Sequence, residues 1–250
     1  MHQNAPQDQP AFVLVRPQMG ENIGAAARAM WNFGLDRMRI VDPRDGWPNP
    51  SAVAMASGAG RLLDAAQHVD SVEAAIADST TVYATTARPR GMTKTVMTPE
   101  AAMQDAVARI QKGEKVSVLF GPERAGLENA DIAPVDVIVT VPVNPDFPSL
   151  NLAQCVLLMG YEWRRATDTT PPVEEVMAGT EWASAGEVAH LVAHYEDRLD
   201  TAGYFFPPHK ADSMRTVFRN LFGRLRLTRA DVQLLHGIMR QMVRWKERGE

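Results

Sequence analysis

Five short runs of apolar, largely β-branched residues recur along the first 141 positions: Phe12–Val15, Met38–Val41, Thr80–Ala84, Val116–Phe120 and Val137–Val141. Between and after them lie stretches with helical character: Asn22–Phe33, Ser71–Ala77, Pro99–Gln111 and Leu150–Arg165. Strands alternating with helices predict βαβ units and a mostly parallel sheet covered on both faces, an α/β fold. One helix start is legible directly. Thr98 offers a side-chain oxygen as N-cap, and Pro99 suits the first helical position because its missing N–H is not needed there. No fixed-period repeat is visible.

The pattern changes at Thr167–Pro172, where Thr-Asp-Thr-Thr-Pro-Pro reads as a linker. Beyond it no strand-like run occurs. Glu181–Leu199, Asp212–Phe222 and Thr228–Lys246 read as three helices. In the last, Val232, Leu235, Ile238, Met239 and Met242 form an apolar stripe, and Arg229, Gln233, His236, Arg240 and Arg244 a polar one. The expected organisation is therefore an α/β domain over residues 1–166, a linker over 167–180 and a small all-α domain over 181–250. Within the first domain, Leu150–Trp163 leaves almost no polar face. A helix apolar all round must be buried on more than one side, which predicts a covering layer or, by preference, a second subunit.

Composition narrows the class. The chain has 250 residues, 45% hydrophobic and 22% charged, as expected of an ordinary globular protein. No apolar run reaches the roughly 18 residues of a membrane span. Met1 to Pro10 is polar, without the basic and apolar regions of a signal peptide, so the cytoplasm is the expected compartment. The single cysteine, Cys155, cannot form an internal disulfide. The net charge of −4 is unevenly spread: residues 204–250 carry ten Lys/Arg against four acids, leaving −10 on residues 1–203. A basic tail on an acidic body points to a polyanionic partner.

Three loops follow apolar strands directly: Thr85-Thr86-Ala87-Arg88, Gly121-Pro122-Glu123-Arg124-Ala125-Gly126, and the segment Pro142 to Ser149. In open α/β sheets ligands bind beyond the carboxyl ends of the strands. Gly, Pro, Ser, Thr and Asn in these loops let backbone groups approach a ligand closely. Common nucleotide motifs fail. Gly121 to Gly126 has Walker A glycine spacing, but Leu127–Glu128 stands where Lys–Ser/Thr is required, and Gly58-Ala59-Gly60 lacks a third glycine. His190 and His194 are four apart on a helix but lack a third ligand, so no metal is expected. Cys155 reads as a small core residue.

Asn22-Ile23-Gly24-Ala25-Ala26-Ala27-Arg28-Ala29-Met30, Leu119 to Leu127 and Ser149-Leu150-Asn151-Leu152-Ala153 resemble, in order, the three motifs of the SPOUT superfamily in its SpoU/TrmH branch of RNA ribose 2′-O-methyltransferases. Gly203-Tyr204-Phe205-Phe206 and Leu221-Phe222-Gly223-Arg224 further resemble the TrmJ group, which methylates tRNA in the anticodon loop. The resemblance implies S-adenosyl-L-methionine as cofactor, a deep trefoil knot at the C-terminal part of the α/β domain, a homodimer, and tRNA as partner, with cytidine or uridine at position 32 as the target. Ribosomal RNA methylation is the alternative within the enzyme class. A knotted RNA-binding protein without catalysis is the alternative outside it.

Carried residue by residue, the resemblance makes Arg28, Asn22, Glu123, Ser149 and Asn151 the catalytic set. It assigns the cofactor to Thr85, Thr86, Ala87, Gly121, Val141, Pro148, Ser149 and Leu150, largely through backbone groups. An arginine effectively never deprotonates in a protein, so Arg28 is better suited to hold the adjacent phosphate and orient the ribose than to act as base. Plainer readings stand beside these roles: a surface ion pair for Arg28, an N-cap for Asn22 or Ser149, an arginine pair for Glu123. Asn151 has poor propensity for a helix interior, which favours a functional reason for it. In the tail, Arg215, Arg219, Arg229, Arg240 and Arg244 are the expected RNA-binding residues.

Overall fold

The computed structural model describes residues 9–87 and 91–247 and divides into two compact units, Met1–Thr170 and Pro171–Glu250. The first contains, in chain order, β1 (Ala11–Val15), α1 (Gly20–Asn32), β2 (Met38–Val41), α2 (Pro50–Ala56), α3 (Gly60–Ala65), β3 (Gln67–Val69), α4 (Val72–Ile76), β4 (Thr81–Thr85), β5 (Thr95–Met97), α5 (Pro99–Gln111), β6 (Val116–Phe120), α6 (Asn129–Ile132), β7 (Val137–Val139) and α7 (Leu152–Thr167). Among the described residues the strands form one sheet in the order β3-β2-β1-β6-β4-β7-β5, with every neighbouring pair parallel.

The apolar runs become the inner strands because both their faces are covered. Phe12, Leu14, Ile40, Tyr83, Val118 and Phe120 point to the side of α1, α5 and α7. Their neighbours Val13, Val41, Val82, Ala84 and Leu119 point to the side of α4 and α6. Each such large side chain contributes about 1.5–3 kcal/mol on leaving water. Thr98 caps α5 as expected, accepting from Ala101 N. Gly24 lets α1 lie directly on α2, since a Cβ there would stand 2.2 Å from the carbonyl oxygen of Ala52.

Helix α7 departs from expectation at its start. It begins at Leu152, not Leu150, because Asn151 is its N-cap and accepts from Ala153 N and Gln154 N. Within one chain only one side of it is covered. Leu152, Val156, Met159 and Trp163 are buried, whereas Leu157 and Tyr161 are 40% and 47% exposed.

The second unit comprises α8 (Ala185–Thr201), a 3₁₀ turn at Pro208–Lys210, α9 (Ala211–Gly223) and α10 (Arg229–Glu247). Ser184 and Glu187 form a reciprocal capping box at the start of α8. Leu191, Val192, Phe222 and Val232 form the core, with Tyr195, Phe218 and Leu235 packed around it. The expected apolar stripe of α10 is split. Val232 and Met239 are buried, but Ile238 and Met242 are exposed, because α8 packs on only one side of it. Among the described residues no helix is long and apolar enough to cross a membrane.

Candidate active site

β4, β6 and β7 all end at one edge of the sheet, and the loops that leave them enclose a cleft within the first unit. Thr85, Thr86, Ala87, Gly121, Val141, Pro148, Ser149 and Leu150 all line it, and the structure adds Leu152 and Cys155 as an apolar floor. Arg88, at the end of the first loop, lies outside the described residues. The loops are tied to one another: Thr85 Oγ1 donates to the carbonyl of Leu119 (3.0 Å), and Thr140 Oγ1 to that of Thr86 (3.0 Å). The second loop closes on itself through Gly126 N to the Pro122 carbonyl (2.9 Å). A Cβ on Gly121 would lie 2.3 Å from Leu127 N, so only glycine fits. Burial pushes the Cys155 thiol up to about 11, which leaves it a neutral packing group.

At the lip of the cleft three motifs meet. Glu123 is half-buried and accepts from Gln18 N (2.8 Å), Met19 N (3.4 Å) and Asn22 Nδ2 (2.7 Å). Asn22 Oδ1 in turn accepts from Asn151 Nδ2 (3.0 Å). Residues more than a hundred positions apart are thus joined into one chain, Glu123–Asn22–Asn151. The carboxylate sits at the N-terminus of α1, where the helix dipole favours negative charge. Glu123 therefore has amide partners, not the arginine of its plainer reading.

Asn22 is not the N-cap of α1. Met19 holds that position without a side-chain bond, which leaves the Asn22 amide free to reach across. Nor does Ser149 cap α7. It is exposed at the cleft wall, and Asn151 takes the cap. Arg28 stands apart from the three-residue chain. It is exposed on α1, six residues and about 9 Å along the axis from Asn22, and among the described residues it makes no ion pair or hydrogen bond.

Arg16 was not singled out by sequence reasoning. It adopts φ 45° at the end of β1 and forms an ion pair with Asp131 at 2.5 Å. This pair anchors the loop that presents the Gln18 and Met19 amides to Glu123. A positive φ in a bulky residue costs energy that surrounding contacts must offset, and neither the φ nor the partner 115 positions away has a local sequence signal.

In the second unit the predicted RNA-binding arginines differ sharply. Arg215 pairs with Asp200 (2.6 Å) and lies over the ring of Phe205, 4.5 Å from its centroid. Arg219 bonds both carboxylate oxygens of Glu196 at 2.8 Å. Arg229 pairs with Glu181 and Glu187. Arg240 and Arg244 have no carboxylate partner among the described residues. Arg248 and Glu250, which enter the charge count of the tail, lie outside them.

Comparison with known proteins places this geometry. Residues 9–161 match the SpoU rRNA Methylase family, and residues 186–250 match the C-terminal domain of tRNA methyltransferase TrmJ. The chain is 34% identical to tRNA (cytidine/uridine/adenosine-2′-O-)-methyltransferase TrmJ of Pseudomonas aeruginosa, over 93% of each chain. It is 30% identical to tRNA (cytidine/uridine-2′-O-)-methyltransferase TrmJ of Photorhabdus laumondii, over 95% of this chain and 98% of the relative. Among solved structures, TrmJ from Z. mobilis superposes with a TM-score of 0.81 at 48% identity, covering 94% of this chain and 99% of that one.

Proposed function

Since the chain belongs to the SpoU methylase family, and within it to the TrmJ methyltransferases, we propose that it methylates the ribose 2′-hydroxyl of a cytidine or uridine in the tRNA anticodon loop, at position 32, with S-adenosyl-L-methionine as methyl donor. The observation that carries this reading is the hydrogen-bonded chain Glu123–Asn22–Asn151 at the lip of the cleft. The lining suits the cofactor. Apart from Glu123 and Arg124 it is uncharged, with apolar walls and backbone groups suited to a flat base and a small amino-acid portion. When bound, S-adenosyl-L-methionine supplies an electrophilic methyl on a sulfonium. Ser149 and Asn151 lie where they can align the ribose. Arg28, unpaired and always charged, holds the neighbouring phosphate and fixes the sugar in line.

The reading carries two structural consequences. One is a trefoil knot in the C-terminal part of the first unit. It is supported by the chain stepping from β6 across β4 to β7 and returning to start α7 beside α1. The other is a homodimer, supported by the partial exposure of Leu157 and Tyr161 on α7. The second unit, reached through the linker, holds the tRNA.

Incubation with radiolabelled S-adenosyl-L-methionine and bulk tRNA, followed by nucleoside mass spectrometry and site mapping, tests the activity. Label in 2′-O-methylcytidine or 2′-O-methyluridine at position 32 is expected. Label in ribosomal RNA alone, or cofactor binding without transfer, overturns the reading.

The tail carries its own prediction. Arg240→Gln combined with Arg244→Gln should weaken tRNA binding across sequences and flatten its salt dependence by about two contacts, since each phosphate contact releases counterions. Filter binding at several salt concentrations measures both. Unchanged affinity and slope would mean these arginines only solubilise α10.

A further inference from the structure

Three imidazoles meet where α8 faces α10. His190 and His194 lie one turn apart on α8, and His236 approaches both from α10, its ring centroid 5.5 Å from the first and 5.1 Å from the second. Nδ1 of His194 and Nδ1 of His236 are 2.9 Å apart, so one carries a proton there and the other accepts it. Arg240 is one turn further along α10, its Nε 3.4 Å from the carbonyl oxygen of His236. Among the described residues no group of three or more His, Cys, Asp or Glu is disposed to hold a metal ion. The trio therefore needs another explanation.

The surrounding charges supply one. On α8, Glu187 is engaged by Ser184 and Arg229, Glu196 by Arg219, Asp197 by Arg198, and Asp200 by Arg215. On α10, Asp231 accepts from Thr228. The hydroxyl of Tyr195 donates to the carbonyl of Leu235. No described carboxylate on either helix is partnered with the trio or with Arg240. His236 is held below the usual histidine range by burial first, and then by the positive charges of His194, His190 and Arg240. Elsewhere in this unit Arg198, Arg215, Arg219, Arg226 and Arg229 are matched with acids. Here positive charge gathers without a counter-ion.

We propose that His190, His194, His236 and Arg240 form an anion site of the second unit, which takes a phosphate group of the RNA backbone with uptake of a proton. The proposal rests on the tRNA reading above. Without an anion, an imidazolium at His236 would be part-buried beside Arg240 and the other two imidazoles with no counter-charge. Because the depressed histidine binds protons less readily than the unfolded chain does, stability is complete above about pH 6.5 and declines as pH falls below it. A phosphate reverses this balance by favouring the imidazolium.

The test is fluorescence anisotropy of labelled tRNA on the full chain from pH 8 to pH 6, with imidazole NMR of the histidines. Wild-type affinity is expected to rise over this range about fivefold to tenfold more than that of His190→Gln or Arg240→Gln, the signature of roughly one linked proton. His190 lies outside the short hydrogen bond, so its variant keeps the test open if His236→Gln fails to fold. Inorganic phosphate is the second probe. Displacement of the His194 and His236 resonances by phosphate alone supports a general phosphate site, and displacement by tRNA alone supports a phosphodiester site. Equal pH dependence in wild type and both variants, with histidine resonances unmoved by tRNA, overturns the proposal even if tRNA is methylated. Histidines that respond to phosphate in a protein that methylates no tRNA would instead overturn the tRNA reading and leave the anion site standing.

Discussion

Replacing Arg28 with alanine is expected to lower methyl transfer by at least about a hundredfold while S-adenosyl-L-methionine affinity stays within a few-fold of wild type. Arg28 lies on α1, outside the cofactor loops, so cofactor contacts survive its loss. It has no described structural partner either, so the fold does not depend on it. What remains is its charge, which the proposed function assigns to the substrate phosphate. Misplacing a reacting hydroxyl by about 1 Å is enough for a hundredfold loss. Single-turnover transfer and equilibrium cofactor binding, measured on the same preparation, separate the two effects. A large loss of cofactor affinity would move Arg28 to the cofactor side and refute the assignment.

The second large effect is expected at Gly121. A methyl group there meets the backbone of Gly126 and Leu127, at 2.3 Å for the nearest atom, and backbone cannot rotate away as a side chain can. The loop 121–126 must open, and it forms one wall of the cleft. Gly121→Ala should therefore weaken cofactor binding by more than about tenfold, equivalent to about 1.4 kcal/mol. The sheet should stay folded, because Phe120 and Leu119 keep their packing. Calorimetric titration with the cofactor, alongside far-ultraviolet circular dichroism, reads both. Wild-type affinity in the variant would show that this wall does not touch the cofactor.

The inner strands were legible because burial on both faces writes a continuous apolar run. β3 and β5 were not, since each is a three-residue edge strand with two residues exposed, and such a segment has no hydrophobic pattern to read. α2 carries a usable signal in Asn49 followed by Pro50, the same cap-and-proline start as Thr98–Pro99. At the site, the resemblance supplied the residues but not their connection. Glu123, Asn22 and Asn151 are joined only because the sheet order brings three loops to one edge. In the tail, charge counting treated Arg215, Arg219 and Arg229 like Arg240. It had no means of seeing that Asp200, Glu196, Glu181 and Glu187 neutralise the first three. His236, expected on the polar stripe, instead faces α8 and meets His190 and His194 there, on the same side of α10 as the buried Val232 and Met239.

The chain of side-chain amides at the cleft has a fixed direction. Asn151 gives its oxygen to the start of α7, so its nitrogen must face Asn22. Asn22 then presents its oxygen to Asn151 and its nitrogen to the carboxylate. Asparagine is also a residue that ages, losing its amide nitrogen to become aspartate. At Asn151 that change would leave a good helix cap in place, but it would turn the donor facing Asn22 into a second acceptor. The helices and sheet would stay in place while the site lost its alignment, an ageing product that far-ultraviolet circular dichroism would pass as intact.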